Sequence, residues 1–319
     1  MEFTFCTISY NQSKLIIYHM ESIKYLIKEY GKDIRCHFVL ADDCSTDNTV
    51  SVVEKWIEKN SSLFSSVTIN AQTINQGTVK NFICGINIKK TNNFSILAGD
   101  DLYTSANLFS LFDDCEFYIS PTLHFSGNTV TSTQYNKFFY YLLALDDNKI
   151  CSFINQQYKY GTGIEAPGMF FRKNIIDGDL EIILKKYRLI EDTPLVNYIV
   201  SLSEIKIKLL KKPYVLYRIN EGVTSVNSKV HEEYKKEQEL LNKYIHIYRK
   251  NIPNIFNPFQ YRRYLEIKMS QLNGVINNDY LRILRDVNNN FKTEKKNANN
   301  HLRLMIIKGN EFYSNVWGL

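Results

Sequence analysis

The sequence lacks the cysteine pairs, histidine spacings and long apolar segments that mark zinc-binding, disulfide-stabilised and membrane-spanning proteins. Its six cysteines form no CxxC pair and lie mostly among apolar neighbours, and its six histidines show no metal-ligand spacing. We therefore expect buried free thiols in a reducing cytoplasm. The longest apolar run, from Phe138 to Leu145, is far too short to cross a bilayer. No signal peptide is expected, because Glu2 and Asn11 interrupt the first apolar stretch and no basic segment precedes it.

The composition is that of a globular protein. Of the 319 residues, 44% are hydrophobic and 13% are aromatic, which excludes a disordered chain. A chain of this length buries a sizeable core and forms either one large domain or one domain with an appendage.

The first 125 residues alternate between strand and helix patterns. Strands are predicted at 3–9, 36–41, 67–71, 94–97 and 117–119, and helices at 14–30, 48–59 and 78–89. Short apolar strands that alternate with amphipathic helices are typical of βαβ units. The predicted fold class is therefore α/β, with a mostly parallel, doubly wound sheet flanked by helices.

The pattern is less regular after residue 126. It predicts a glycine-rich loop at 161–168, a strand at 169–172, a helix that opens at Glu191 to Pro194, and late strands at 205–209 and 214–217. From His231 onward the pattern is helical, with breaks at Pro253 and Pro258. The polar segment 288–300 predicts a flexible connection.

The positive charge is concentrated near the end of the chain. Residues 229–319 hold 16 Lys and Arg against 9 Asp and Glu, a net charge of +7, whereas the 23 basic and 24 acidic residues before them give −1. Such a segment suggests contact with an anionic surface, and we expect phospholipid at the inner membrane face rather than nucleic acid. The alternative is an ordinary solvated helical face, or a stripe around Tyr244 and Tyr248 that packs on the preceding part of the chain or on a second subunit in a homodimer.

Two adjacent carboxylates, Asp100 and Asp101, directly follow the predicted strand at 94–97. Open α/β sheets bind ligands at the carboxyl ends of their strands. Two neighbouring acids repel each other, and a divalent metal that carries a diphosphate would compensate them. A solvated turn remains the alternative interpretation of the pair alone.

Four further motifs occur with this pair in a fixed order. They are Ser9-Tyr10-Asn11, the turn from Asp42 to Thr49, the segment from Asn75 through Gly77 to Asn81, and Glu191-Asp192. Together with Gly99-Asp100-Asp101, this order closely resembles the family 2 glycosyltransferases with the GT-A fold. The resemblance covers residues 1 to about 228.

The resemblance implies a role for each motif. Asp42 would hold the uracil edge of a UDP-sugar, with Asp43 beside it and Ser9 completing the recognition. Asp100 would contact the ribose side, and Asp101 would bind the Mn²⁺ or Mg²⁺ that bridges the diphosphate. Asp192, paired with Glu191, would be the general base of an inverting displacement. The remaining implied donor contacts are Tyr10, Asn11, Asn75, Gly77, Lys80 and Arg218.

The chain departs from the family pattern at four positions. Lys80 replaces the usual Arg, so the charge remains without the forked geometry. Cys44 replaces the usual Gly in the second turn, and Gly99 stands where a strict Asp-x-Asp motif has its first acid. The segment from Tyr217 to Gly222 stands where many relatives carry a His, and there Arg218 and Asn220 could contact phosphates.

The expected organisation is a GT-A domain at 1–228, with a nucleotide-binding half at 1–125 and an acceptor-binding half at 126–228, followed by a basic helical region at 229–319. The expected function is transfer of a hexose from a UDP-sugar to a glycan or lipid-linked acceptor in the assembly of a bacterial surface polysaccharide. The alternatives are a sugar nucleotidyltransferase and a non-catalytic nucleotide-sugar-binding module. The first alternative usually has a basic, glycine-rich first loop, which Ser9 to Gln12 does not provide.

Overall fold

A computed structural model of the chain describes residues 1–132, 165–172, 177–202, 205–210, 212–219, 230–249 and 279–317. Its first part contains β1 (Glu2–Ser9), α1 (Ile16–Tyr30), β2 (Arg35–Asp42), α2 (Thr49–Asn60), β3 (Ser66–Ala71), α3 (Thr78–Ile88) and β4 (Phe94–Ala98). All seven elements begin and end within two residues of the predicted bounds, so the βαβ prediction is confirmed.

The remaining described elements are shorter, apart from two helices near the end of the chain. They are β5 (Leu102–Tyr103), β6 (Phe117–Ile119), β7 (Thr122–Ser126), β8 (Thr129–Ser132), β9 (Met169–Phe171), α4 (Gly178–Leu184), α5 (Asp192–Ser201), β10 (Ile207–Leu209), β11 (Val215–Arg218), α6 (His231–Arg249) and α7 (Asp279–Trp317). The predicted breaks at Pro253 and Pro258 lie outside the described residues.

The main sheet has seven strands in the order β10-β6-β9-β4-β1-β2-β3. β9 runs antiparallel to β4 and β6, and the other neighbours are parallel. From β1 the chain adds β2 and β3 on one side and then crosses to place β4 on the other side. The carboxyl ends of β1 and β4 therefore form the topological switch point, where such sheets bind ligands. The predicted α/β class, with a mostly parallel sheet flanked by helices, is confirmed.

Apolar helix faces cover both sides of this sheet. On one side Phe82, Leu184 and Leu195 of α3, α4 and α5 are buried in one core cluster. On the other side Met20 of α1 and Trp56 of α2 belong to a second cluster. These two layers hold the strand ends rigidly in place, which a ligand site on loops requires.

A second sheet, with the order β5-β11-β7-β8, was not predicted. Its strands have two to five residues, too few to show a clear alternating pattern. α7 covers this sheet, and Leu302 and Met305 are buried with Leu102 and Leu123. The sheet therefore depends on the end of the chain for part of its core.

The flexible connection predicted at 288–300 is wrong, because this segment lies within α7. Its polar side chains bind the backbone of β8. Asn299 Oδ1 accepts a hydrogen bond from the Val130 amide at 2.8 Å, and Lys295 Nζ donates to the Thr131 carbonyl at 2.8 Å. Further along the helix, Gly309 permits close contact with α1, since a Cβ there would lie 2.4 Å from the Tyr18 ring.

The structure also bears on two features that were considered from composition, the cysteines and the apolar segments. Of the cysteines that it describes, Cys6 and Cys36 are buried free thiols, as predicted, whereas Cys44, Cys84 and Cys115 are free but only partly buried. None of the helices within the described ranges combines the length and apolar character needed to cross a membrane.

Candidate active site

A cleft of about 300 Å³ opens at the carboxyl ends of the central strands. Its walls come from the turns after β1, β2 and β4, from the starts of α3 and α5, and from the end of β11. Ten of the predicted site residues line it: Ser9, Tyr10, Asp43, Asn75, Gly77, Asp100, Asp101, Glu191, Asp192 and Arg218. Residues far apart in sequence thus share one cavity.

Asp42 and Asn11 lie beside the cleft lining and hold its turns. The buried Asp42 carboxylate accepts hydrogen bonds from Ser9 Oγ at 2.7 Å and from the Ser45 amide at 2.8 Å. Asn11 has a left-handed backbone with φ of 53°, and its Oδ1 accepts from the Thr46 amide at 2.8 Å. In this structure both side chains join the end of β1 to the turn after β2.

Asp43 is the acid of this turn that lines the cleft. Its carboxylate accepts hydrogen bonds from the amides of Gln76 at 2.7 Å and Gly77 at 2.8 Å. Burial raises the pKa of Asp43, and the two amides and the Arg188 guanidinium partly oppose that rise. Left-handed backbone at Cys44 (φ 64°) and at Gly77 (φ 89°) shapes the two turns. Only glycine fits at position 77, where a Cβ would lie 2.3 Å from the Arg188 side chain.

Asp101 is almost completely buried beneath the turn after β4, with 1% of its surface exposed. Its Oδ1 accepts from the Arg218 amide at 2.8 Å, whereas its Oδ2 has no hydrogen-bond partner among the described residues. Burial, followed by the neighbouring Asp100 carboxylate, raises the pKa of Asp101 well above its ordinary value. Arg218 Nε donates to the Asp100 carbonyl at 2.9 Å and so holds the backbone of the turn in place.

The backbone of the same turn is held by a buried histidine. His19 Nδ1 donates to the Asp101 carbonyl at 2.8 Å, and Thr7 Oγ1 donates to His19 Nε2 at 2.8 Å. Burial lowers the pKa of His19 to about 4, so the ring is neutral at pH 7 and holds this tautomer. The position of Asp101 is therefore set by α1 as well as by β11.

These acids fit a divalent cation that takes part of its coordination from a ligand. The described residues contain no group of three or more His, Cys, Asp or Glu side chains arranged to hold an ion by themselves. The unpartnered Oδ2 of Asp101 and the adjacent Asp100 carboxylate are hard oxygen donors, and a buried carboxylate without a donor is costly. Mg²⁺ and Mn²⁺ commonly combine one or two carboxylates with phosphate oxygens and water.

Glu191 and Asp192 lie on another wall of the cleft, where α5 begins. Asp192 Oδ1 accepts from the Thr193 amide at 2.6 Å. Burial raises the pKa of Glu191 and that of Asp192. The negative charge of Asp192 raises the pKa of Glu191 further, and Glu165 does the same for Asp192. Both acids therefore take up a proton more readily than exposed carboxylates do.

Arg188, rather than Lys80, lies in the cleft beside Asn75. Arg188 Nη2 donates to Asn75 Oδ1 at 2.6 Å, and Nη1 pairs with Glu233 at 2.7 Å. Lys80 is exposed and lines a neighbouring groove with Gln72 and other residues. Sequence reasoning missed Arg188, although a cation three residues before Glu191 is a signal that could have singled it out.

Glu165 is a second residue that the sequence did not single out beyond its place in the 161–168 loop. It lines the cleft, and both of its carboxylate oxygens lie 3.1 Å from His124 Nε2. Thr122 Oγ1 donates to it as well. The rest of the predicted loop, 161–164, and Asn220 lie outside the described residues.

Comparison with known proteins places this architecture among transferases. The sequence model described as Glycosyl transferase family 2 matches residues 4–177. No curated protein matches the chain.

Solved structures with a similar fold include S. aureus TarS 1-349 in complex with UDP-GlcNAc, at 18% identity and a TM-score of 0.50, with 76% of this chain and 65% of that chain covered. A weaker structural match is the mannosyltransferase PcManGT from Pyrobaculum calidifontis in complex with GDP-Man and Mn²⁺, at 13% identity and a TM-score of 0.48, with 99% of this chain and 87% of that chain covered. The TarS match shows a shared fold.

Proposed function

This chain belongs to glycosyl transferase family 2, and from that premise we propose that it is an inverting transferase that moves a hexose from a UDP-sugar to an acceptor hydroxyl. The observation that carries the proposal is the buried Asp101, whose Oδ2 has no partner within the part of the chain that the structure describes, in the same cleft as Asp100 and Asp192. The acceptor class that we propose is a glycan or lipid-linked sugar in bacterial surface polysaccharide assembly.

The nucleotide would bind where β1, β2 and α3 meet. Asp43 and Asn75 face the cleft there, and a carboxylate suits the N–H of a uracil ring. Asp42 would act through Ser9, which it holds at 2.7 Å. Arg188 would supply the positive charge that relatives place near Lys80.

Asp101 and Asp100 would hold Mn²⁺ or Mg²⁺. When bound, such an ion neutralises the charge that develops on the leaving diphosphate. The protein contributes the fixed position of the turn, which Arg218 and His19 hold through hydrogen bonds of 2.8 to 2.9 Å.

Asp192 would act as the general base. Its carboxylate takes the proton from the acceptor hydroxyl as that oxygen forms a bond to the anomeric carbon. The bond between this carbon and the phosphate oxygen breaks, and UDP leaves with the electron pair. A single displacement inverts the anomeric configuration. The raised pKa of Asp192 makes it a better proton acceptor than an ordinary carboxylate.

The test is a thermal-shift screen followed by an assay of UDP release. UDP-Glc, UDP-Gal, UDP-GlcNAc, UDP-GalNAc, GDP-Man and dTDP-sugars are each added with Mn²⁺. We expect a UDP-sugar to raise Tm and to release UDP, and EDTA to abolish both effects. Pyrophosphate formed from UTP and a sugar 1-phosphate would indicate a nucleotidyltransferase instead. A bound donor without UDP release in the presence of glycan acceptors would favour a binding module. Full activity in EDTA would refute the assignment of a metal to Asp101.

A further inference from the structure

α6 lies against the segment that leads into Glu191 and Asp192. The Glu237 carboxylate on this helix accepts hydrogen bonds from three successive backbone amides, those of Arg188 at 2.6 Å, Leu189 at 2.9 Å and Ile190 at 3.2 Å. Hydrogen bonds to an ionised acceptor are about twice as strong as neutral ones. A carboxylate surrounded by consecutive N–H groups therefore fixes the path of this segment.

The same helix also forms part of the cleft wall. Tyr234 lines the cleft, as does Val230 just before the helix begins, and Leu241 is buried in the core cluster beneath α3, α4 and α5. Glu233 pairs with the Arg188 guanidinium at 2.7 Å. The inward face of α6 thus contacts the 188–190 segment through Glu233 and Glu237. The same face lines the cleft through Tyr234 and packs into the core through Leu241.

The contact is close enough to affect Glu191, which directly follows the segment. The negative charge of Glu237 raises the pKa of Glu191. Val79 donates its amide to the Arg188 carbonyl at 3.0 Å, so α3 holds the segment from the opposite side. The segment is held between α3 and α6, directly before the residues to which we assign proton transfer.

We propose that Glu237 is a positioning residue, which holds the backbone of the 188–190 segment and through it orients Asp192 in the cleft. This inference rests on the proposed transferase function for its kinetic consequence, whereas the structural consequence stands without it. It also makes part of the C-terminal region a component of the active site.

The direct test is amide hydrogen exchange in the full-length protein. Glu237→Gln keeps the size of the side chain but replaces one acceptor oxygen by an NH₂ group, which repels the backbone amides. We expect exchange at 188–190 to become at least about tenfold faster, with the rest of the main sheet unchanged. Glu239→Gln is the matched control, because Glu239 is exposed on the same helix, and it should leave the segment as it is. Should Glu237→Gln not fold, Glu237→Asp, which keeps the charge on a shorter side chain, gives the same comparison.

The kinetic test separates positioning from binding. A misplacement of about 1 Å is enough to lower a rate by roughly 10²-fold, so kcat of Glu237→Gln should fall by about that factor. The donor KM should stay within about threefold, because Glu237 is absent from the cleft lining and the Arg188 guanidinium keeps its contacts with Asn75 and Glu233.

Three results would overturn the inference. The first is an exchange rate at 188–190 that does not change in Glu237→Gln, and the second is an equally large change in Glu239→Gln. The third is faster exchange throughout the protein in Glu237→Gln, with kcat and KM altered together. If the wild-type chain transfers no sugar at all, the proposed function fails, and the exchange experiment still decides whether Glu237 holds the segment.

Discussion

Asp101 combines near-complete burial with a carboxylate oxygen that no donor in the described ranges satisfies. Such an arrangement costs stability, and proteins keep costly groups at sites where function needs them. Arg218 satisfies only the other oxygen, through its backbone amide. The residue therefore has the environment of a ligand-binding group rather than that of a structural ion pair.

We predict that Asp101→Asn does not lower the Tm of the ligand-free protein, because it removes a buried negative charge. The rise in Tm produced by Mn²⁺ with UDP should be lost. The measurement is differential scanning fluorimetry with and without Mn²⁺ and UDP, and Asp33→Asn serves as the control because Asp33 is exposed and remote from the cleft. A lower ligand-free Tm with an intact Mn²⁺-dependent rise would identify Asp101 as structural.

Asp192 gives a prediction for pH dependence. A general base must be ionised, and burial raises the pKa of Asp192. The rate should therefore fall as the pH drops through that raised pKa, above the ordinary Asp value of about 3.9. Asp192→Asn should lower kcat by about 10²- to 10⁴-fold and leave donor binding nearly unchanged. We would measure kcat from pH 4 to 9 together with UDP affinity. A rate that stays constant down to pH 4, or a collapse of UDP affinity in Asp192→Asn, would contradict the assignment.

The residues at strand ends could be placed in the site from sequence because strand direction determines where the next turn lies. Asp43, Asp100 and Asp101 follow predicted strands and all line the cleft. Arg188 and Glu165 could not be placed in this way, since each enters the cleft from a segment without a regular pattern. Lys80 follows the expected turn, but its helical position turns it toward the neighbouring groove.

At the scale of secondary structure, α7 differs most from expectation. Its Asn-rich part has little apolar periodicity, so the sequence indicates a connection. The structure stabilises it through tertiary contacts, namely the backbone of β8 and the apolar face around Leu302. Propensity is a weak guide where packing decides the structure.

The packing of α7 predicts unequal effects of the same substitution at two positions on the helix. Leu302 is fully buried, whereas Leu304 is 38% exposed. Leu302→Ala should lower the free energy of unfolding by about 2–5 kcal/mol, as for other buried leucines. Leu304→Ala should change it by about 0.5 kcal/mol or less, since it makes no buried cavity. Urea unfolding followed by circular dichroism measures both. Equal effects would mean that α7 does not cover the second sheet in solution.

At the scale of the whole molecule, the exposed basic side chains and the buried side chains of the C-terminal helix α7 lie on different faces. The C-terminal region carries the entire positive excess of the chain. The buried face of α7 packs on α1 and the second sheet through Leu302, Met305 and His301, while Lys292, Lys296 and Arg303 are exposed. Packing of this helix on α1 and the second sheet and attraction to an anionic surface are therefore compatible, since they use different faces. The stripe around Tyr244 lies where side chains are not described.

We propose that this exposed basic face docks on anionic membranes. Removing residues 229–319 would strip the cover from the second sheet, so charge reversal is the cleaner change. Each Lys or Arg near an anionic surface contributes on the order of 1 kcal/mol. Replacing Lys292, Lys296 and Arg303 by Glu should therefore weaken binding by at least about 100-fold.

The control reverses three exposed lysines elsewhere, Lys90, Lys186 and Lys206, which changes the net charge equally. Co-sedimentation with phosphatidylserine-containing and neutral vesicles measures binding, and 1 M salt should abolish it because the Debye length falls to about 3 Å. Binding that is indifferent to lipid charge or salt, or that both triple variants weaken alike, would show that the basic face has no such role.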